Sequence, residues 1–223
     1  MQHSMAVPVI VIHDSDDDDD PRNANADAGC PTITYISFDI GINNMAYCEA
    51  KYAPGTGQKM RVSRWCRERL SAFTVADTKL TIALEGLNVF LKEHFPPNAY
   101  GCTNTQSIKV VIERQVKQNY KATALSHVII GYFLGLGIKL ADIRLWDPKR
   151  KALPIEATVG TKRKRTLLIE PTVRALLEKW VNNATWCIDI YNAASKKDDL
   201  FDAFLQLMAV LDFDIQMKRG KSK

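Results

Sequence analysis

The segment YISFDIGINNMAY, residues 35–47, is the stretch that decides the fold and the chemistry of this chain. A run rich in β-branched and aromatic residues ends at a single acid, Asp39, and the turn residues Gly41, Asn43 and Asn44 follow. This composition predicts a buried β-strand. An ionised carboxylate at the end of a buried strand is costly unless a cation, a metal ion or hydrogen-bond donors face it. The rest of the sequence must therefore indicate which of these three partners faces Asp39.

The bulk composition is that of an ordinary globular protein. The chain has 223 residues, of which 46% are hydrophobic and 25% charged, and no run approaches the roughly 18 apolar residues of a membrane helix. The N-terminus has neither the basic lead-in of a secretory signal nor the basic character of a transit peptide. The five cysteines are scattered without a CxxC spacing, which argues against a zinc site and favours free thiols in a reducing compartment. We therefore expect an intracellular protein, cytoplasmic or nuclear, that is neither secreted nor bound to a membrane.

Charge is distributed unevenly along the chain. The net charge is +5, yet residues 1–30 carry seven aspartates and one arginine, which leaves 29 basic and 18 acidic residues in the remainder. A basic body suggests a polyanionic partner such as nucleic acid, although a generic solvated surface explains the same bias. We predict a disordered acidic leader at 1–31, one domain at 32–217, and a basic C-terminal tail at 218–223.

The order of predicted elements indicates an α/β fold. Three strands joined as a meander precede a helix–strand–helix–strand arrangement, and a basic loop and two further helices complete the chain. We predict strands at 32–40, 44–52, 59–70, 107–114 and 141–148, and helices at 75–95, 118–136, 168–181 and 196–217. This order predicts a five-stranded mixed sheet with helices packed on both faces.

Acidic residues recur at the ends of predicted strands and in the last helix. Asp39 ends the first strand and Glu113 ends the fourth, in VVIERQ. If these strands are parallel neighbours, both acids lie at one sheet edge, where open α/β sheets place ligands. In SKKDDLFDAFLQ, Asp199 and Asp202 are three residues apart and therefore adjacent on a helix. We assign Asp198 to a capping box that Ser195 opens, and the other two aspartates to chemistry.

Four carboxylates at one edge imply a bound cation. Like charges at close range force protonation unless positive charge balances them. Hard oxygen ligands select Mg²⁺ or Mn²⁺. Two such ions activate a water and stabilise the leaving oxygen in phosphodiester cleavage. The alternative is that these are four unrelated surface acids, which any one of them alone would favour.

Three motifs together resemble a known family. SFDIGINNMAYC, VVIERQ and KKDDLFDAFLQ are similar, in this order, to the motifs of the RNase H-like Holliday-junction resolvases. That group includes RuvC, the fungal mitochondrial resolvases and, with the greatest similarity, the poxvirus-type resolvases of large DNA viruses. The resemblance spans roughly residues 33–212.

The resemblance implies an RNase H-like fold, a homodimer, and a metal-dependent endonuclease that makes symmetric paired nicks in four-way DNA junctions. Such activity would serve DNA recombination and repair or the processing of viral genome concatemers. Two Mg²⁺ ions would be the cofactors, with Mn²⁺ expected to substitute, and no small-molecule cofactor is implied. The implied metal ligands are Asp39, Glu113, Asp199 and Asp202.

The resemblance also implies a basic residue near the reacting phosphate, between the fifth strand and the last helix. The segment GTKRKRT at 160–166 is its counterpart, and Lys164 is our choice for a catalytic cation that balances charge on the phosphate. Plain contacts with the DNA backbone, or a nuclear-localisation signal, are alternative interpretations of this segment. The predicted DNA-binding residues are Arg114, Lys117, Lys121, Lys162, Arg163 and Arg165.

Other functions fit part of the sequence. DIGINN also satisfies the first phosphate loop of actin-like sugar kinases and ATPases, but those proteins need a second domain and a second glycine-rich loop. A nuclease for flaps, replication forks or RNA–DNA hybrids would keep the fold and the metal chemistry. A non-catalytic binding protein would not need four acids. Trp65 and Tyr120 are aromatic residues able to stack on bases, but we expect both to lie in the core.

Overall fold

The computed structural model describes residues 31–55, 57, 59–71, 79–100, 107–116, 118–147 and 162–220, with backbone alone at 162–170 and 218–220. Residues 1–30 of the leader predicted at 1–31 lie outside the described ranges. The described elements follow each other in one chain order. They are β1 (Ile33–Ile40), β2 (Asn44–Tyr52), β3 (Arg61–Arg69), α1 (Leu80–His94), α2 (Pro97–Tyr100), β4 (Ser107–Glu113), α3 (Tyr120–Gly135), a 3-10 turn (Leu140–Asp142), β5 (Ile143–Trp146), α4 (Lys162–Trp180), α5 (Ala184–Ala193) and α6 (Lys197–Gly220).

The described strands form one five-stranded sheet in the order β3-β2-β1-β4-β5. β1 pairs with β2 and β2 with β3 in antiparallel fashion, whereas β1–β4 and β4–β5 are parallel pairs. The predicted five-stranded mixed sheet is therefore confirmed. β1 lies at the centre and is buried on both faces, which is why its sequence is an almost continuous apolar run.

Helices cover both faces of this sheet, as predicted. Alternation along β1 sends Ile33 and Tyr35 to the face that α5 and α6 cover, and Ile36, Phe38 and Ile40 to the face that α1 and α3 cover. Each face carries its own cluster of buried apolar side chains. The two clusters hold the sheet between two helical layers, and burial of this apolar surface is the main force that stabilises the fold.

Close backbone approaches fix the turns beside β1. Gly41 begins the β1–β2 turn, and its amide donates to the carbonyl of Asn44 at 2.9 Å. A Cβ atom at Gly41 would lie 2.6 Å from that same carbonyl oxygen. Only glycine fits this turn without a shift of the backbone, so the glycine of the DIGINN segment is required by the turn that follows Asp39.

A β-bulge sets which side chains of β3 face α6. The β2–β3 register shifts between Glu49 and Ala50. As a result Val62 and Trp65, three residues apart, both join the cluster beneath α5 and α6. Asn183 completes this edge, because its side chain accepts from the Val62 amide at 3.1 Å and donates to the Val62 carbonyl at 2.7 Å.

Several predicted boundaries were wrong. The basic segment was predicted to be a loop, but from Lys162 onward it lies in α4, which begins there rather than near 168, because lysine and arginine have high helix propensity. α5 was not predicted, since its sequence ATWCIDIYNA is rich in residues of low helix propensity. α6 continues to Gly220, beyond the predicted end at 217. α1 is described from Leu80, and residues 75–78 of the predicted helix lie outside the described ranges.

Candidate active site

Asp39 and Glu113 lie side by side at the ends of neighbouring strands. β1 and β4 are parallel, and their paired register ends with Phe38 opposite Ile112, the residues that immediately precede the two acids. Alternation places Asp39 on the same face as Tyr35, and Glu113 on the same face as Val111. Both of those residues belong to the cluster beneath α6. The prediction that the first and fourth strands bring these acids to one edge is therefore confirmed for the backbone.

Helix α6 crosses this same face. The Gln206 side-chain amide donates to the carbonyl of Phe38 at 3.3 Å, which fixes the middle of the helix over the end of β1. Asp202 lies one helical turn earlier, on the Gln206 side of the helix. α6 therefore carries Asp202 toward the edge at which Asp39 ends β1.

The first turn of α6 is held by β3. Trp65 Nε1 donates to the carbonyl of Leu200 at 2.9 Å, and Arg67 Nε donates to Asp199 Oδ2 at 2.9 Å. Trp65 and Arg67 are two residues apart on one strand and so point to the same face. Asp199 is thereby fixed to a cation two strands away from Asp39.

Asp198 and Asp199 have different surroundings. α6 begins at Lys197, so both aspartates lie in its first turn. Asp198 is exposed, whereas Asp199 is partly buried against Arg67. A capping box opened by Ser195 requires the helix to begin one residue earlier than it does. The geometry therefore gives Asp199 the inward position and leaves Asp198 at the surface.

The four acids share one region, but their side chains are not gathered tightly. Within the described ranges, no group of three or more histidine, cysteine, aspartate or glutamate side chains is close enough to hold a metal ion. Asp199 is engaged by Arg67, and Glu113 Oε2 lies 3.4 Å from Gln115 Nε2. The set of four metal ligands therefore stays a prediction.

The chemistry of this region nevertheless fits a divalent ion. All four side chains offer carboxylate oxygens, the donors that Mg²⁺ and Mn²⁺ prefer. Two fully buried oxygens, Ser37 Oγ and Gln206 Oε1, have no hydrogen-bond partner within the described part of the chain. Ser37 lies two residues before Asp39 on the same face of β1. The buried side chains next to the acids thus include polar atoms that lack a hydrogen-bond partner among the described residues, as expected beside an ion site.

The predicted basic residues are only partly described. Arg114 is exposed, and its amide donates to the carbonyl of Trp146 at 2.8 Å, directly after Glu113. Lys121 is half-buried in the first turn of α3. Lys117 lies outside the described residues. Lys162, Arg163, Lys164 and Arg165 lie in the first turns of α4, but their side chains are outside the described part of the structure.

The two candidate stacking residues differ. Trp65 is 2% exposed and packs on Phe204 with ring centroids 5.4 Å apart, so its prediction as a core residue is confirmed. Tyr120 is 64% exposed, so the prediction that it lies in the core was wrong. It begins α3, whose buried stripe instead runs through Ala122, Leu125 and Ile129. Tyr120 therefore faces solvent, seven residues beyond Glu113 in the chain.

The described cysteines are structural. Cys48 and Cys187 are buried free thiols, and Cys66 is a partly buried one. Burial raises the pKa of the Cys66 thiol to about 12. A thiol with such a pKa is not a nucleophile at neutral pH. Cys30 and Cys102 lie outside the described residues.

None of the helices within the described ranges combines the length and apolar character that a bilayer span requires.

Sequence comparison adds little, since no family model and no curated protein matches the chain.

Solved structures do resemble it. The chain is similar to the fowlpox virus resolvase, solved in complex with its substrate Holliday junction DNA, with 18% identity, a TM-score of 0.53, and coverage of 80% of this chain and 97% of that chain. RuvC of Thermus thermophilus is similar over 80% of this chain and 92% of its own, with 12% identity and a TM-score of 0.49. The fowlpox match establishes the architecture that the sequence motifs predicted. This chain therefore has the same RNase H-like fold as the fowlpox virus resolvase.

Proposed function

We propose that this chain is a divalent-metal-dependent endonuclease that resolves four-way DNA junctions by symmetric paired nicks. The observation that carries the proposal is the in-register pairing of β1 and β4, which sets Asp39 beside Glu113 under the helix that bears Asp199 and Asp202. A pair of strand-end acids beneath a helix that carries two more acids fits the binding of hard cations beside a phosphodiester.

The four acids would hold the ions. When bound, two Mg²⁺ ions would supply an activated water and stabilise the leaving oxygen. The protein's own contribution is to fix the acids: β1 and β4 set one pair by register, and the contacts of Gln206 and Trp65 hold α6 over them. Mn²⁺ would substitute because it takes the same oxygen ligands.

Basic residues near this edge would bind the DNA backbone. Arg114 follows Glu113 directly, and Lys121 lies at the start of the next helix. Lys117 and the basic first turns of α4 add positive charge along the chain, and Lys164 would balance charge on the reacting phosphate. These contacts recognise phosphates rather than sequence, which suits an enzyme that recognises the shape of its DNA.

A homodimer would place two such sites on one junction, as paired nicking requires. α3 offers a face for a second copy: Val128 and Leu134 are exposed apolar residues between which Gly131 also faces outward. A Cβ atom built on Gly131 or on Gly135 meets nothing within 4 Å. Two α3 helices could therefore approach closely across a two-fold axis, with the same patch used on both subunits.

The test is cleavage of a labelled mobile four-way junction in Mg²⁺, beside duplex, flap, replication-fork and RNA–DNA-hybrid controls. Symmetric nicks in the junction alone, lost in EDTA and bearing 3′-hydroxyl and 5′-phosphate ends, would support the proposal. Equal cutting of flaps, forks or hybrids would instead indicate a broader branched-DNA or RNA–DNA-hybrid nuclease with the same metal site. Absence of cutting on every substrate, with junction binding retained, would indicate a non-catalytic binding protein.

A further inference from the structure

The contact between Arg67 and Asp199 is not needed to anchor α6. Trp65, on the same strand, already donates to Leu200 and stacks against Tyr191 with ring centroids 6.0 Å apart. The Arg67 and Asp199 side chains are 22% and 30% exposed, and a pair with that much solvent access contributes little to stability. We therefore look for a role of the Arg67–Asp199 pair other than stabilisation of the fold.

The position of Arg67 connects it to the predicted ligands. The strand registers place Asp39 opposite Ala46, and Ala46 opposite Arg67. The three residues form one row across the sheet, so Arg67 lies two strands, or about 10 Å, from Asp39. Its side chain projects toward α6, on the face that Asp39 shares. The Arg67 guanidinium thus lies at the edge of the region that contains the four predicted ligands and binds one of them, Asp199.

We propose that Arg67 is a positioning residue of this site, which orients the Asp199 carboxylate and competes with the divalent ion for it. The inference rests on the proposed metal-dependent nuclease. It also selects Asp199 over Asp198 as the functional acid of the first turn, because Asp198 is exposed while Asp199 contacts the guanidinium.

Two effects of removing this cation have opposite signs. Loss of the Arg67 charge makes the net charge around the four carboxylates more negative, so a divalent ion binds there more tightly. Loss of the hydrogen bond frees the Asp199 carboxylate to rotate, so the ion is held in poorer geometry and cleavage slows. Lysine keeps the charge but lacks the planar guanidinium, so Arg67→Lys separates the two effects. A merely structural role would not tighten ion binding.

The test measures Mn²⁺ binding by the full chain without DNA, from the electron-paramagnetic-resonance signal of free Mn²⁺, and then junction cleavage at saturating Mn²⁺. We expect Arg67→Gln to bind Mn²⁺ about threefold or more tightly than wild type and to cleave about tenfold or more slowly. Arg67→Lys should bind Mn²⁺ as wild type does and still cleave slowly. Arg61→Gln, the same change at the far end of β3, is the matched control and should alter neither quantity.

A double-mutant cycle identifies the partner. The effect of Arg67→Gln on Mn²⁺ affinity should vanish in an Asp199→Asn background and persist in an Asp198→Asn background. Unchanged or weaker Mn²⁺ binding by Arg67→Gln, in a protein with a wild-type melting temperature, would overturn the inference and leave the metal nuclease standing. If Arg67→Gln does not fold, wild-type cleavage by Arg67→Lys overturns it equally. Failure of the wild type to bind Mn²⁺ would instead remove the proposed function and this inference with it.

Discussion

The side-chain amide of Gln206 donates a hydrogen bond of 3.3 Å to the carbonyl oxygen of Phe38, and this bond joins the middle of α6 to the C-terminal end of β1. Asp39 follows Phe38 directly, and Asp202 precedes Gln206 by one helical turn. One hydrogen bond between a wholly buried glutamine and the strand backbone therefore sets the spacing between two of the predicted ligands. The other amide atom, Oε1, has no partner within the described residues.

Replacing Gln206 should affect cleavage more than stability. In Gln206→Met the hydrogen bond is lost, but so is a buried oxygen without a partner, so we expect the free energy of unfolding to change by no more than about 1 kcal/mol. Cleavage should fall about tenfold, because the spacing of the two acids is no longer fixed. Urea denaturation and junction cleavage measure the two quantities. Gln216→Met, an exposed glutamine on the same helix, is the control; equal effects at both positions would contradict the prediction.

Asp39→Asn should abolish cleavage and retain junction binding. The substitution keeps the size of the side chain but removes the negative charge that an ion requires. We expect cleavage to fall by about a thousandfold or more, while affinity for the junction in Ca²⁺ stays within about threefold of wild type. Gel-shift and cleavage assays on the same labelled junction measure both.

Asp212→Asn is the matched control for this variant, since Asp212 lies on α6 beyond the site and contacts Gln216. It should cleave like wild type. Equal loss of binding and of cleavage in Asp39→Asn would show that Asp39 has a structural role and would remove it from the set of ligands.

The strand-end acids were predictable because they depend on local patterns and on one pairing. Apolar runs identified β1 and β4, and the order of the elements favoured a parallel pairing of these two strands, which the structure confirms. That pairing brings Asp39 and Glu113 to the same edge of the sheet. The pairing also fixed which face each acid occupies. The sheet and its helical layers could therefore be predicted from the sequence.

Arg67 and Gln206 could not be found in the same way. Each acts through a contact with a residue more than 100 positions away in the chain, with sequence separations of 132 and 168. Periodicity describes one element at a time and carries no information about such partners. The bulge in β3, which turns Trp65 and Arg67 toward α6, also leaves no signal in the strand's composition.

The far end of α6 is held by a charged cluster around Asp214. Its carboxylate accepts from Tyr35 at 3.0 Å and from Arg144 at 2.6 Å, and it pairs with Lys109. Burial alone would raise the pKa of Asp214, but the hydrogen bonds and charges of Lys109 and Arg144 outweigh it and lower that pKa below its usual value. The cluster ties α6 to three parallel strands at the end opposite the acids.

Asp214→Asn should therefore reduce stability at neutral pH and flatten its acid dependence. Removing the carboxylate leaves two partly buried cations unpaired, at a cost of about 3 kcal/mol. Because the folded pKa is lowered, the stabilisation is complete above the unfolded pKa of about 4 and is lost as pH falls through the folded value. Urea denaturation between pH 7 and pH 3 should show the gap between wild type and variant narrowing below about pH 4. A gap that is constant over this range would contradict the prediction.

Lys164→Ala should slow cleavage more than it weakens binding. A cation that balances charge on the reacting phosphate acts mainly in the transition state, so we expect about a hundredfold loss in the rate at saturating enzyme. Arg163→Ala is the neighbouring control and should lower affinity with little change in that rate. Single-turnover cleavage and the salt dependence of binding separate the two roles. If Lys164→Ala changes only the salt slope, Lys164 is a contact to the DNA backbone.

A substitution that introduces a charge on the exposed face of α3 should dissociate the proposed dimer. Val128 is 37% exposed and lies one turn before Gly131, at which an added Cβ meets nothing. Val128→Glu places a carboxylate opposite its own copy across a two-fold axis, and two like charges buried in an apolar contact repel strongly. Because this side chain reaches solvent in the single chain, the variant should still fold cooperatively, with a melting temperature lower only by the stabilisation that association supplies.

Sedimentation velocity measures the oligomeric state, and a mobile junction reports the consequence for cleavage. We expect Val128→Glu to sediment as a monomer and to produce single nicks, since the second site no longer acts in the same complex. Val89→Glu makes the same change at a 53% exposed valine of α1 and should leave both the dimer and paired nicking intact. A dimeric Val128→Glu protein would exclude α3 as the interface, while monomeric wild type that still nicks in symmetric pairs would show that two chains assemble only on the DNA.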